Sequence, residues 1–174
     1  MDDMLEFKVT FEADGVTANN LLLTRVDHNL YSVEETPVIV DCVSYKDIIE
    51  ADLQPDGSLM FRRVVKKSEM QTYDFVLAKE VVDSEGFTSL LDRITEAEGH
   101  WEILFEWWVL IHLPSGCKLD PNQELDDICN KLIRASSSLT SHNGAAPASS
   151  KHLGKTESAR HRSRESSFIV VKIK

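Results

Sequence analysis

The spacing of apolar residues changes once along the chain, near Val82, and this change limits the fold more than any other feature. Before Val82, apolar and polar residues alternate in short runs, which is typical of half-buried strands. After it, apolar residues recur at every third or fourth position, which is typical of amphipathic helices. A strand-rich first half followed by mixed elements predicts an α+β fold.

Turn residues divide the first half into five strand-like runs. The clearest turn is segment 54–58, in which Pro55 presets one backbone dihedral angle and Gly57 accepts a positive one. We therefore predict a small, partly open, barrel-like meander as a first subdomain over residues 1–70. Its predicted strands are residues 5–11, 21–26, 30–33, 47–53 and 59–65.

The second half alternates strands and helices in the order of a split βαβ unit. Ser84 is placed to cap a first helix and Gly99 to end it, while Asp120 is placed to cap a second helix. This order predicts a ferredoxin-like subdomain over residues 71–135 and 168–174. Two helices would cover one face of a four-stranded antiparallel sheet.

The charge is distributed unevenly along the chain. Residues 1–135 hold 12 Lys and Arg against 27 Asp and Glu, so their net charge is 12 − 27 = −15. Residues 136–174 hold 7 against 2, so theirs is 7 − 2 = +5. Segment 136–167 is basic and rich in Ser, with almost no apolar residues to offset the entropy of ordering, and we predict that it is disordered.

These features exclude several classes of partner. Residues 1–135, called the acidic body below, carry a net charge of −15 and therefore repel phosphate backbones. This charge argues against nucleic-acid contact through the acidic body and favours a basic protein as its partner. The longest apolar run, residues 101–113, is too short to cross a bilayer and contains Glu102 and His112, so we expect no membrane partner. The acidic start of the chain lacks the basic and then apolar pattern of a secretory signal, which predicts a cytoplasmic location.

No catalytic motif is present. The three cysteines, Cys42, Cys117 and Cys129, form neither a zinc-binding spacing nor a disulfide framework, so we expect reduced thiols that pack as small apolar side chains, with Cys42 in a strand. The chain has no nucleophile elbow, and its 7 glycines form no phosphate-binding loop. We therefore expect no catalytic residue, no cofactor and no metal.

Strand alternation suggests a surface for a partner. It places Trp108 on the face opposite Phe105 and Trp107, together with Glu102 and Glu106. If the strands ahead of the sheet leave this face open, Trp and Glu together suit a basic, partly apolar partner. The candidate partner-binding residues are Trp108, Glu102, Glu106, Tyr45 and Asp47.

Three segments, in order along the chain, carry a resemblance to a known family. They are residues 29–37, ending in Thr-Pro, residues 43–51, Val-Ser-Tyr-Lys-Asp-Ile-Ile-Glu-Ala, and residues 56–62, Asp-Gly-Ser-Leu-Met-Phe-Arg. On these, residues 22–132 resemble a family of small, stand-alone bacterial proteins known only by a domain of unknown function. Lys46 stands where the family has Gly, and Met70 where it has His. The resemblance implies no activity, and it favours two strands rather than one over residues 101–113.

Two functions fit these observations. The first is a non-enzymatic protein-binding module, immunity-like or antitoxin-like, that binds a basic protein through its acidic body. The alternative is a small-molecule sensor or an enzyme, with a site between barrel and sheet that uses acidic residues near Tyr45 and Asp47. Neither function implies a particular oligomeric state.

Overall fold

The protein is described by a computed structural model over residues 4–12, 15–140 and 171–172. It is a mixed α+β structure with a closed five-stranded barrel and a separate antiparallel sheet. Each part has its own cluster of buried apolar side chains, centred on Phe11 and Ile49 in the barrel and on Phe75 and Phe87 beside the sheet.

The barrel is built from the first five strands. They are β1 (Met4–Phe11), β2 (Val16–Asp27), β3 (Leu30–Val33), β4 (Ile48–Leu53) and β5 (Leu59–Lys66). Successive strands pair antiparallel, and a parallel pairing of Val9 with Leu59 joins β1 to β5. The barrel is therefore closed, not partly open as predicted, because β1 pairs with a strand that is distant in sequence.

The sheet has the order β7-β8-β6-β9 and packs against helices. Its elements are β6 (Met70–Val76), α1 (Lys79–Val82), α2 (Glu85–Glu96), β7 (His100–Leu104), β8 (Trp108–Pro114), α3 (Pro121–Thr140) and β9 (Val171–Lys172). The Ser84 side chain accepts a hydrogen bond from Phe87 N–H at 3.1 Å, which confirms the predicted cap of α2. Among the residues described, no helix is both long and apolar enough to cross a membrane.

Helix α3 continues five residues into the segment predicted to be disordered. It ends at Thr140, and the hydroxyls of Ser136 and Ser137 donate to the carbonyls of Leu132 and Ile133, both at 2.9 Å. These bonds satisfy the serine hydroxyls within the helix. Helix α3 therefore continues past residue 135, although the sequence beyond that point has few apolar residues. Residues 141–167, which make up the rest of that prediction, lie outside the described part of the chain.

Residues 101–113 form two strands joined by a tight turn, as the family resemblance favours. Residues 105–107 make the turn, with Phe105 at φ 53° and Glu106 at φ 68°, and the strands pair from Leu104–Trp108 to His100–His112. Left-handed backbone is uncommon at non-glycine residues, and Phe and Glu are not typical turn residues. The sequence therefore gives no signal for a turn at this point. The turn also removes Glu106 from the strand face to which alternation assigns it.

Candidate functional site

A loop over residues 34–47, called the docking loop below, joins β3 to β4 and lies on the sheet. Its two ends meet, because Val33 N–H donates to the Asp47 carbonyl at 3.0 Å and Lys46 N–H donates to the Val33 carbonyl at 2.7 Å. Lys46 is left-handed at φ 63°, a conformation that glycine adopts without strain. The docking loop therefore brings barrel residues to the sheet face that carries no helix.

Thr36 of the docking loop joins a buried polar chain on that face. Its hydroxyl donates to Glu102 Oε1 at 2.8 Å, and its backbone N–H donates to the same carboxylate at 3.0 Å. The Thr36 hydroxyl also lies 3.0 Å from Nε2 of His112, a fully buried residue, whose Nδ1 lies 3.0 Å from the Thr72 hydroxyl. A proton on Nε2 of His112 lies toward the Thr36 hydroxyl and the Glu102 carboxylate, both of which can accept it.

This polar chain shares one feature with a nucleophile triad and differs from it in another. In a triad the histidine uses one ring nitrogen for the nucleophile and the other for the carboxylate. Here Glu102 lies 3.3 Å from Nε2 of His112 and the Thr72 hydroxyl lies 3.0 Å from Nδ1. The difference is the Thr36 hydroxyl, which lies 3.0 Å from Nε2 and bonds to Glu102, so that the same contacts hold the docking loop on the sheet.

Glu102 is the negatively charged member of this chain. Burial acts to raise the pKa of Glu102, but hydrogen bonds from His112 and Thr36 outweigh it and lower the pKa below the usual value. The carboxylate is therefore ionised at neutral pH and accepts hydrogen bonds from Thr36 inside the protein. Glu102, a predicted partner contact, has a side chain that is only 13% exposed.

Tyr45 also lies in the interface between docking loop and sheet. Its ring stacks on His100 with centroids 4.4 Å apart and lies 4.7 Å from the His112 ring. Burial lowers the pKa of His100, which keeps this ring neutral, and burial followed by the nearby charges of Glu34 and Glu102 raises the pKa of Tyr45. Tyr45 is buried, so the structure places this predicted contact residue inside the protein.

Asp47 connects the docking loop to the segment between β5 and β6. It is fully buried, and its carboxylate accepts hydrogen bonds from Ser44 N–H at 2.9 Å, Ser68 N–H at 2.7 Å and Lys67 Nζ at 2.9 Å. These contacts occupy the carboxylate with partners inside the protein. Asp47, like Tyr45, is therefore placed away from the surface that a partner meets.

The turn between β7 and β8 presents aromatic side chains to solvent. Phe105 is 69% exposed and Trp107 is 47% exposed, and the ring centroids of these two residues lie 6.3 Å apart. Trp108 is half-buried, donates its ring N–H to Asp74, and stacks at 6.4 Å from Phe105. Residues 104–108 are called the aromatic tip below; it includes Glu106, which is exposed.

Strand alternation put Trp108 among the predicted partner contacts and left out Phe105 and Trp107, which it placed on the opposite face. Strict alternation fails once the chain turns, so the side chains after Leu104 leave the strand pattern. The signal that could have found them is the adjacency of three large aromatics around one Glu, which is unusual for a single buried strand.

Two clefts of about 230 Å³ each lie between the docking loop and the sheet. The first, called the Glu35 cleft, is lined by polar residues Asn19, Glu35, Thr36 and Glu102 and by apolar residues that include Val38, Ile39 and Leu104. The second is lined by Thr36, Val38, Asp41, Asp74 and Trp108, among others. Thr36 and Val38 line both, so one loop segment separates the two clefts.

No cysteine is among the residues that line these two clefts. Cys129 is buried on α3, whereas Cys42 is exposed in the docking loop and not in a strand, because residues 34–47 cross the sheet as a loop. Within the described ranges, no group of three or more His, Cys, Asp or Glu side chains is arranged to hold a metal ion.

Comparison with known proteins gives one structural likeness. No family model and no curated protein matches the chain, so the family resemblance stays a prediction. The crystal structure of a hypothetical protein from Neisseria gonorrhoeae is similar to it, with a TM-score of 0.48 and 18% identity over 78% of this chain and 91% of that one. The name of that protein gives no activity, and a likeness of this strength assigns none here.

Proposed function

We propose that this chain is a non-enzymatic protein-binding module whose partner is a basic protein, in the manner of an immunity protein or antitoxin that covers the site of a toxin. The aromatic tip supplies the short-range contact, and the acidic body supplies the long-range attraction.

The exposure of Phe105 and Trp107 carries this proposal. Aromatic side chains hold a large apolar area, and leaving two of them in water forgoes the free energy that their burial would release. Trp is also enriched among the residues that dominate binding energy in protein interfaces. Ile39 is 60% exposed and lines the same cleft as Leu104, which extends the apolar surface from the aromatic tip to the docking loop.

Acidic side chains surround this apolar surface. Glu106 lies within the aromatic tip, Asp74 holds the Trp108 ring, and Asp41 and Glu35 line the adjoining clefts. A negative rim around an apolar centre favours a partner with the opposite charge and disfavours nucleic acid.

Affinity capture from native lysate tests the proposal. The wild-type chain and a Phe105→Ala/Trp107→Ala variant are compared at about 0.1 M and about 1 M salt, over which the Debye length falls from about 10 Å to about 3 Å. We expect a basic protein to be captured at low salt only, and to be lost with the variant. With the purified partner, calorimetry should show binding at least about thirtyfold weaker for the variant, which corresponds to about 2 kcal/mol.

Leu53→Ala is the matched control, because Leu53 is 62% exposed but belongs to the barrel, where it pairs with Leu59 beside the turn from β4 to β5. It should bind the partner as the wild-type chain does. Equal capture by the aromatic double variant, or capture that does not change with salt, would contradict the proposal.

We also propose that β6 to β9 with their helices form a ferredoxin-like unit. The strand order β7-β8-β6-β9 supports this, because in chain order it reads second, third, first, fourth. The burial of Phe75 and Val109 against residues of α2 and α3 supports helices on one face of the sheet.

The small-molecule alternative is favoured by one observation, the presence of two clefts between the docking loop and the sheet. Their polar side chains come from both halves of the protein, as expected for a site at a subdomain boundary.

A further inference from the structure

The Glu35 cleft combines apolar walls with two carboxylates. Val38 and Ile39 are exposed on the loop side, and Leu104, the first residue of the aromatic tip, closes the sheet side. Glu35 and Glu102 line the same cavity of about 230 Å³. The cleft is therefore continuous with the surface proposed above to bind a partner.

The carboxylate of Glu35 is incompletely satisfied. Its Oε1 accepts one hydrogen bond, from Leu22 N–H at 2.9 Å. In the part of the chain that the structure describes, no Lys or Arg forms an ion pair with Glu35 or Glu102. Burial, and then the neighbouring charges of Glu102 and Glu6, raise the pKa of Glu35 against the opposing effect of the Leu22 hydrogen bond. A cation placed in this cleft would relieve that unfavourable charge.

We propose that the Glu35 cleft receives a lysine side chain of the partner protein, with its aliphatic stem against Val38, Ile39 and Leu104 and its ammonium group at Glu35 and Glu102. The inference rests on the proposed function and names the chemistry by which the partner is recognised. Lysine suits such a site because its stem covers apolar surface while its charged end reaches polar groups.

The arrangement of acceptors favours an ammonium group over a guanidinium group. Arginine binds best to a carboxylate that offers both oxygens side by side. Here Glu35 uses one oxygen for Leu22 N–H, and the Glu102 carboxylate is already bonded to Thr36 through both oxygens. The remaining acceptors come from separate residues, including the Asn19 amide, and the three N–H groups of an ammonium ion can reach separate acceptors.

Butylammonium, the end of a lysine side chain, is the probe, and n-butanol is its neutral counterpart. Two backbone amides report directly on the site in a ¹H–¹⁵N spectrum, because Leu22 N–H bonds to Glu35 and Thr36 N–H bonds to Glu102. We expect saturable shifts of both signals with butylammonium and weak, unsaturated shifts with butanol. Glu35→Gln keeps the oxygen that accepts from Leu22 but removes the charge, and it should weaken butylammonium binding about tenfold.

Glu96→Gln is the control, because it removes the same charge from an exposed position on α2. Equal binding of butylammonium by Glu35→Gln, or equal shifts with butanol, would overturn the inference.

A second arm uses the captured partner and separates this inference from the proposed function. Glu35→Gln should weaken partner binding about tenfold, and so should changing the partner's contacting lysine to methionine. If partner binding depends on the aromatic tip but not on Glu35, the proposed function stands and the lysine site is refuted. If butylammonium binds through Glu35 while the partner does not need it, the cleft binds a free amine, which also refutes a partner lysine.

Discussion

The hydroxyl of Thr36 donates a hydrogen bond of 2.8 Å to Oε1 of Glu102, and this contact joins the barrel to the sheet. The backbone N–H of the same threonine donates to the same carboxylate at 3.0 Å. The Glu102 side chain of β7 thus binds both the backbone and the side chain of Thr36 in the docking loop. The position of the Glu35 cleft, and of the apolar surface beside it, depends on this contact.

Glu102→Gln should lower the free energy of unfolding by about 1–3 kcal/mol at neutral pH, because it removes a charge that hydrogen bonds from Thr36 and His112 stabilise and replaces Oε2, an acceptor for Thr36 N–H, with a donor. The folded-state pKa of Glu102 is lowered, so the stability that its charge contributes is present above the unfolded value of about 4.5 and is lost as pH falls through the folded value. Urea unfolding at about pH 7 and about pH 3 should therefore show a difference between variant and wild type that shrinks in acid. A constant difference would contradict a role for the charge.

Asp47→Asn should lower the free energy of unfolding by at least about 2 kcal/mol, because an amide nitrogen would face backbone N–H groups or the Lys67 ammonium within a buried site. Chemical denaturation measures the loss. Asp52→Asn is the comparison, since Asp52 pairs with Arg62 at an exposed position and should cost no more than about 1 kcal/mol. Equal losses for the two variants would show that Asp47 has no special structural role.

Glu35→Gln should raise the melting temperature at neutral pH, in contrast to the other two substitutions. The folded-state pKa of Glu35 is raised, so the wild-type chain loses stability as pH rises from the unfolded value of about 4.5 through the folded value. The variant lacks this loss, and the two melting curves should converge below that range. Calorimetric melting at several pH values measures the effect, and a variant less stable than wild type at pH 7 would be inconsistent with an unpaired charge.

Trp108→Ala should lower the free energy of unfolding by about 2 kcal/mol, whereas Trp107→Ala should change it by less than about 0.5 kcal/mol. Trp108 is half-buried and bonded to Asp74, while Trp107 is 47% exposed, and no side-chain hydrogen bond of Trp107 is found among the described residues. Strand alternation instead places Trp108 on a face of the sheet that would be open to a partner, and from such a position its removal would leave the fold intact. Denaturation of both variants decides between these expectations, and similar losses would favour neither assignment.

Local signals in the sequence predicted the local features of the fold. The turn before Leu59 and the Ser84 cap of α2 are set by residues close to each other in sequence, and both occur where expected. Gly99 follows α2 as predicted, but the left-handed residue there is Glu98, and Gly99 is needed because a Cβ would lie 2.8 Å from the His112 carbonyl oxygen.

Contacts between distant residues were not predictable in the same way. The docking loop has the apolar residues of a strand, and only its contacts with the sheet show why it is a loop. Tyr45 and Asp47 were predicted to contact a partner or ligand, whereas the structure buries both against His100 and Ser68, whose proximity no spacing rule gives. The sequence therefore indicated several residues near the candidate site, but it did not indicate which of them are exposed to a partner.

The parallel pairing of Val9 and Thr10 with Leu59 and Met60 has a consequence for how the chain folds. Every other pairing in the barrel joins neighbouring strands, whereas this one must bring together the two ends of the barrel sequence at the entropic cost of a long chain closure. We expect it to form after the local hairpins, so that the rate of barrel folding is governed by the arrival of β1. During synthesis from the N-terminus, one edge of β1 would then remain unpaired until β5 has left the ribosome. In this interval the chain is most exposed to incorrect strand pairing.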